Sequence, residues 1–208
     1  MTSVPRLHLI GPLDVVRPAE YATIAVRAAR GGCDAVHLRI PEFAGGDFLR
    51  IALSIKRELS LVDGSKLIVN DRLDVAYLAG SDGVQLGERS FDVPQARRIV
   101  GTGALVGRSI HGIDGAKRAE EDGASFVIAG HIFTTPSKEG EPGRGVDWLG
   151  EIAGQLSIPV IAIGGITVSN VPDVMEAGAH GVAVARELLQ AEDPTQIARR
   201  IRQHFPED

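Results

Sequence analysis

The stretch IPVIAIGGITVSNVPDVMEAGAHGVAVAR, residues 158–186, decides the fold class. It opens on an apolar run, passes the pair Gly164–Gly165, continues through an amphipathic segment, stops at Gly178 and enters a second apolar run. A strand covered on both faces reads as a continuous apolar run, and two such runs joined through a helix make the parallel βαβ unit. The phrases AARGGCDAVHL (28–38) and AEEDGASFVIAG (119–130) repeat the order helix, glycine stop, strand. This weak internal repetition points to a barrel rather than to two domains.

Outward from that unit, short β-branched runs alternate with longer amphipathic segments. Eight strands are expected, at Leu7–Ile10, Ala35–Leu38, Lys66–Val69, Gly83–Leu86, Leu105–Gly107, Phe126–Ala129, Val160–Ile163 and Gly181–Val184. Helical stretches are read at Glu20–Arg30, Asp47–Leu59, Val93–Val100, Gly115–Asp122, Trp148–Gln155, Val168–Glu176 and Asp193–Gln203. Pro18 suits a first helical turn, and Gly31–Gly32, Gly123 and Gly178 are expected to supply the positive φ that ends a helix cheaply. An open doubly wound sheet would carry a glycine-rich fingerprint after its first strand, but LIGPLD (9–14) stands there. The expected fold is therefore α/β, a single (β/α)8 TIM barrel over residues 1–208, compact for that architecture.

Composition narrows the function classes. Hydrophobic residues are 44% of the chain, enough for a buried core, and no apolar stretch is long enough to span a bilayer. Pro5, Arg6, His8 and Pro12 interrupt any signal-peptide core, so a cytoplasmic location is the default expectation. A net charge of −5 and only 4% aromatic residues argue against nucleic acid as a partner. The lone Cys33 is read as a buried, inert thiol.

Active sites of such barrels gather at the C-terminal ends of the strands. The polar residues standing there are His37 and Arg39, then Asn70, Asp71 and Arg72, then Arg108, Ser109 and His111. After the sixth strand come His131, Thr134, Thr135, Ser137 and Lys138, followed by Gly164, Gly165 and Arg186 after the last two. For Asn70, Asp71 and Asp92 helix capping is as good a reading as function. His131 follows FVIAG and precedes Ile132–Phe133, an address where burial would keep an imidazole neutral and able to act as a general base. The polar, Gly/Pro-rich segment Thr134–Gly145 is read as a functional loop. Gly164–Gly165 with Ala185–Arg186 can offer backbone N–H groups to a phosphate, with charge from Arg186 or Lys138. A metal is not expected, because Asp71 stands alone and the residue after VQLGER is Ser90.

AVHLR (35–39), LIVNDRLDVAYLAGSDGVQLGE (67–88), VGRSIHG (106–112), FVIAGHIFTTPSKEGEPGRGV (126–146) and residues 158–184 together resemble the thiamine phosphate synthase and thiazole tautomerase superfamily. The synthase branch implies magnesium, an Arg-x-Lys pair after strand two and a second aspartate after strand four. Here Arg39 is followed by Ile40 and Pro41, and Ser90 replaces the acid. Gly130–His131–Ile132–Phe133 and the GRGV of Gly143–Val146 are similar to tautomerases, in which the histidine transfers the proton. The expectation is thus an isomerase without metal or cofactor, shifting a proton in a carboxythiazole phosphate of thiamine biosynthesis with His131 as base. The resemblance implies phosphate or thiazole contacts from Ser109, Thr135, Ser137, Gly165, Ala185 and Arg186. At residue 186 a serine is common, so the arginine departs from the pattern. Arg39 or Lys138 would fix anionic ends, and Asn70 stands among the binding residues at the mouth. The partners implied are a small thiazole phosphate and further copies of the chain, with no nucleic acid and no membrane. Two rivals stay open: a thiamine phosphate synthase with an unusual metal site, and a non-catalytic thiazole-phosphate sensor.

Overall fold

A computed structural model describes residues 3–11, 16–40 and 44–206, leaving aside the side chains of 18 and 19. Eight parallel strands close into one barrel in chain order. They are β1 Leu7–Gly11, β2 Ala35–Leu38, β3 Lys66–Asn70, β4 Gly83–Leu86, β5 Leu105–Ile110, β6 Phe126–Gly130, β7 Val160–Ile163 and β8 Gly181–Val184. Helices surround them: α1 Pro18–Arg30, α2 Gly45–Leu59, α3 Leu73–Ala79, α4 Val93–Val100, α5 Ile113–Glu121, α6 Gly145–Ala153, α7 Val171–Glu176, α8 Arg186–Leu189 and α9 Pro194–Arg202. The eight expected strands are present, and β1, β3, β5 and β6 run one to three residues further. The stretch after Gly11 and the residue Pro41 lie outside the described residues.

Alternation along each strand divides the buried side chains into two sets. Leu7, Leu9, Val36, Leu38, Leu67, Val69 and their equivalents face outward and pack under the helices. Ile10, Ala35, Ile68, Leu105, Phe126, Ile128, Ile161 and Ala183 fill the interior. Every fully buried Leu, Ile or Phe contributes about 1.5–3 kcal/mol through removal from water, so both layers matter to stability.

Short helices explain the differences from the sequence reading. The seven-residue α3 and four-residue α8 show too few turns for a 3.6-residue period to register. Pro18 stands in the first turn of α1 as expected. Gly32, Gly123 and Gly178 have positive φ, but Gly31 has φ −86°. A side chain at Gly31 would strike the Thr195 carbonyl, so close approach to α9, and not handedness, requires glycine there. Cys33 is buried as read, with Sγ 3.2 Å from the Ala35 carbonyl, and burial pushes its thiol up to about 12. No helix among the described residues is long and apolar enough to cross a membrane.

Candidate active site

The same alternation that fills the interior with Ile68 and Ile128 brings polar groups inward nearer the C-terminal end. Asn70 and Gln85 are register partners on β3 and β4. Gln85 Nε2 donates to Ser109 Oγ of β5 at 3.0 Å, while its Oε1 is buried without a hydrogen-bond partner. Room for that amide comes from Gly107, where any side chain would strike Gln85 and Phe126. His37 of β2 lies 3.3 Å, Nδ1 to Oδ1, from Asn70, and its Nε2 lies 2.8 Å from His8 Nδ1. Both imidazoles are fully buried. Burial pushes His8 down to about 4, and burial followed by the neighbouring His8 holds His37 well below the ordinary range.

The desolvation expected at His131 is therefore found at His8 and His37. His131 itself is only half-buried, with Nε2 3.4 Å from the Glu141 carbonyl. Its loop is an extension of the barrel: Ile132 N–H donates to the Ile163 carbonyl at 2.9 Å and Phe133 N–H to that of Gly164 at 3.0 Å. Gly164 and Gly165, at φ 101° and 65°, let this pairing close, because side chains there would strike His131 and Phe133. Arg144 N–H and Gly145 N–H return to the carbonyls of His131 and Ile132, which ties off the Thr134–Gly145 loop. Within it Pro136–Lys138 forms one 3-10 turn, Thr135 is half-buried, and Ser137 and Lys138 are exposed. Asn170, which sequence reasoning passed over, braces the glycine pair through Nδ2 to the Gly165 carbonyl at 2.9 Å. Its position before Val171–Pro172 was the available signal, since a short amide just ahead of a helix favours local backbone bonds.

On the far side of the mouth, Asp71 holds φ 59° and accepts from Gly87 N–H at 2.8 Å, joining the β3 and β4 loops. Arg108 steadies the second loop through the carbonyls of Phe91 at 2.8 Å and Glu88 at 3.3 Å. Ser90 closes that turn onto the Gly87 carbonyl. Asp92 caps α4 and pairs with Gln95, the bland reading offered for it. Among the described residues no group of three His, Cys, Asp or Glu could hold a metal. Arg39 is exposed beyond β2. Ala185 is half-buried, with its carbonyl accepting from Leu188 and Leu189 N–H. Arg186 borders a cleft of about 670 Å³ outside the barrel, shared with Arg27, Gln190 and Asp193.

Structure thus brings Asn70, Ser109, His131, Thr135, Gly165 and Ala185 to one end of the barrel, while the cleft beside Arg186 lies among α1, α8 and α9. Gln85, a buried polar residue in an otherwise apolar strand, was missed.

Among solved structures, thiamine phosphate pyrophosphorylase from Pyrococcus furiosus superposes with a TM-score of 0.86 at 28% identity, covering 96% of this chain and 94% of that one. A thiamine-phosphate synthase from Methanoculleus marisnigri is 43% identical over 94% of this chain and 93% of its own length. One from Methanocella arvoryzae is 36% identical over 94% and 92%. These names overturn the isomerase expectation and favour the transferase rival. Ser90 and the Gly-His-Ile-Phe sequence are a few positions in one mouth, outweighed by identity over nearly the whole barrel. The family model described as thiamine monophosphate synthase matches residues 9–188, and the chain belongs to that family.

Proposed function

We propose that the chain is a cytoplasmic transferase of the thiamine-phosphate synthase type, coupling a phosphorylated thiazole to a pyrimidine pyrophosphate. The observation that carries this reading is the two-sided mouth. One wall is a hydrogen-bonding row of Asn70, Gln85 and Ser109, and the other a glycine-lined cradle of Gly164, Gly165 and the Thr135–Lys138 turn. A nitrogen heterocycle is held by directed amide and hydroxyl groups, and a phosphate by backbone and hydroxyl donors at close approach. Two unlike walls suit two substrates brought together in one mouth.

In the reaction the thiazole nitrogen attacks the methylene carbon of the pyrimidine; a C–N bond forms, the C–O bond breaks, and pyrophosphate leaves with the electron pair. The protein's task is orientation of the two rings, plus charge for the leaving group from Arg39 and Lys138. Ser109 reads as a contact to the rings, and Thr135, Ser137, Gly165, Ala185 and the Arg186 backbone as contacts to the thiazole phosphate. His131 abstracts no proton from carbon in this chemistry and is assigned a substrate hydrogen bond.

Magnesium, on which coupling in the synthase branch depends, finds a poor protein site here. Asp71 offers one carboxylate, already accepting from Gly87 N–H, and Ser90 stands in place of a second acid. The residues do not fit a two-carboxylate site. A homo-oligomer completes the proposal, supported by Leu53, Tyr77 and Leu78 exposed on the neighbouring helices α2 and α3.

Incubating the purified chain with both substrates and magnesium tests the reading by release of pyrophosphate. Stoichiometric thiamine phosphate is the expected product; no coupling at millimolar substrates overturns it.

A further inference from the structure

A continuous hydrogen-bonded chain runs along the barrel interior from its closed end to the mouth. His8 Nε2 lies 2.9 Å from the Pro5 carbonyl, His8 Nδ1 lies 2.8 Å from His37 Nε2, and His37 Nδ1 lies 3.3 Å from the Asn70 side-chain oxygen. His8 and His37 are both fully buried and Asn70 is half-buried, so the chain meets the open mouth at the amide. The hydrogen positions follow from one fact: a backbone carbonyl only accepts.

Because the Pro5 carbonyl accepts, His8 Nε2 carries the hydrogen, and a neutral His8 has a bare Nδ1. That bare nitrogen requires the hydrogen of His37 on Nε2, which leaves His37 Nδ1 bare in turn. A bare Nδ1 wants a donor, and Asn70 has one in its amide nitrogen. With its oxygen toward the ring, as Oδ1 is placed, the bond would need a doubly protonated His37. Among the described residues no carboxylate hydrogen-bonds either ring. The groups around the pair are the other imidazole, Asp34 and His180, and the carboxylate of Asp34 is engaged by Arg6 N–H, Leu7 N–H and Arg202. Two touching imidazoles away from water disfavour a charge on either.

We infer that His8 and His37 are positioning residues whose fixed tautomers hold the Asn70 amide with its nitrogen toward His37 and its oxygen facing the mouth. The Pro5 carbonyl at one end of the barrel thereby sets the polarity of a hydrogen-bonding group at the other. Asn70 then selects a ligand that presents a donor there, an amino group or ring N–H of a nitrogen heterocycle, and disfavours one that presents only acceptors. This last step rests on the transferase reading; the orientation of the amide does not.

Two measurements separate those layers. Nitrogen-15 correlation spectra of histidine-labelled protein at neutral pH should show His8 and His37 both as neutral rings with hydrogen on Nε2. A hydrogen on His37 Nδ1, alone or with a second on Nε2, overturns the inference whether or not the chain couples any substrates. His37→Gln keeps the polarity, with an N–H for His8 and an oxygen for the Asn70 amide, whereas His37→Leu removes both. In the coupling assay, KM for the pyrimidine pyrophosphate should stay within about threefold for His37→Gln and rise about tenfold for His37→Leu, the size of one hydrogen bond, with kcat changing less. Equal KM values in the two variants sink the positioning role. Absence of coupling in the unmodified chain with the expected tautomers intact refutes the transferase reading and leaves the amide orientation standing.

Discussion

The two sides of the barrel interior meet the same demand in opposite ways. From β1 to β5 the inward positions include His8, His37 and Asn70, which form one hydrogen-bonded line, and Gln85 and Ser109, which form a second beside it, Asn70 and Gln85 being register partners. From β6 to β8 they are Phe126, Ile128, Ile161 and Ala183, with glycines at the rim. Apolar burial is non-directional and stabilises in proportion to area. A buried polar row contributes less net stability but has a direction, since every donor must find an acceptor. In this barrel the apolar side supports the fold and the loop carrying His131, and on the proposed reading the polar side sets which atom a ligand would meet.

Four perturbations test that division. Phe126→Ala should be the most damaging, at about 3–5 kcal/mol by urea denaturation, because it empties the apolar side where the ring also packs 5.4 Å from that of His8. A loss below about 1 kcal/mol would contradict the assignment of stability to that side.

Acid comes next. An unfolded histidine titrates near 6.5, whereas burial pushes folded His8 down to about 4, so the unfolded chain binds the proton first as pH falls. Stability should be full above pH 6.5 and decline down to about pH 4, by about 3 kcal/mol from His8. His37, shifted in the same direction, adds to the loss. Flat denaturation midpoints across that window would show that the pair is not neutral and buried.

Gln85→Leu should have a smaller effect on stability. It removes a bond to Ser109 and also a buried acceptor that has no partner, terms of about 0.5–1.5 and 1–3 kcal/mol with opposite sign. The thermal midpoint should hold or rise slightly, while KM for the pyrimidine substrate increases; a clear fall in the midpoint would mean that Oε1 is satisfied. Least of all, Lys138→Ala should change stability by no more than about 0.5 kcal/mol, since its pair with Glu141 is exposed on both sides. Its expected consequence is a higher KM for the phosphorylated substrates, measurable in the coupling assay.

Much of the barrel was legible because its signals are local. Residues 158–186 carry a strand, a glycine pair, a helix and a second strand within one window, and hydrophobic period distinguishes them. The mouth was legible as a set of strand-end positions, and Asn70, Ser109, His131 and Gly165 do gather there. Burial of individual polar groups was not legible. His131, flanked by apolar residues, is half-exposed, whereas the imidazoles of His8 and His37 are fully buried. Chain neighbours indicate the strand, but the inward or outward face depends on register with strands far away in sequence. The functional branch failed for a related reason: Ser90 and His131 are single substitutions, and single positions in loops weigh little against identity spread over the barrel.

By itself, the sequence determined the order of eight βα units, their closure into a barrel, and which strand-end residues gather at the mouth, since these follow from short-range periodicity and glycine punctuation. Only the tertiary structure decided that His8, His37 and Asn70 form one line, that Gly31 is required by α9 and not by its own φ, and that Gln85 keeps an orphan oxygen beside the mouth. The physical reason is that a hydrogen bond needs both partners within about 3 Å, and for residues 29 or 33 positions apart barrel closure sets that distance, not the chain between them.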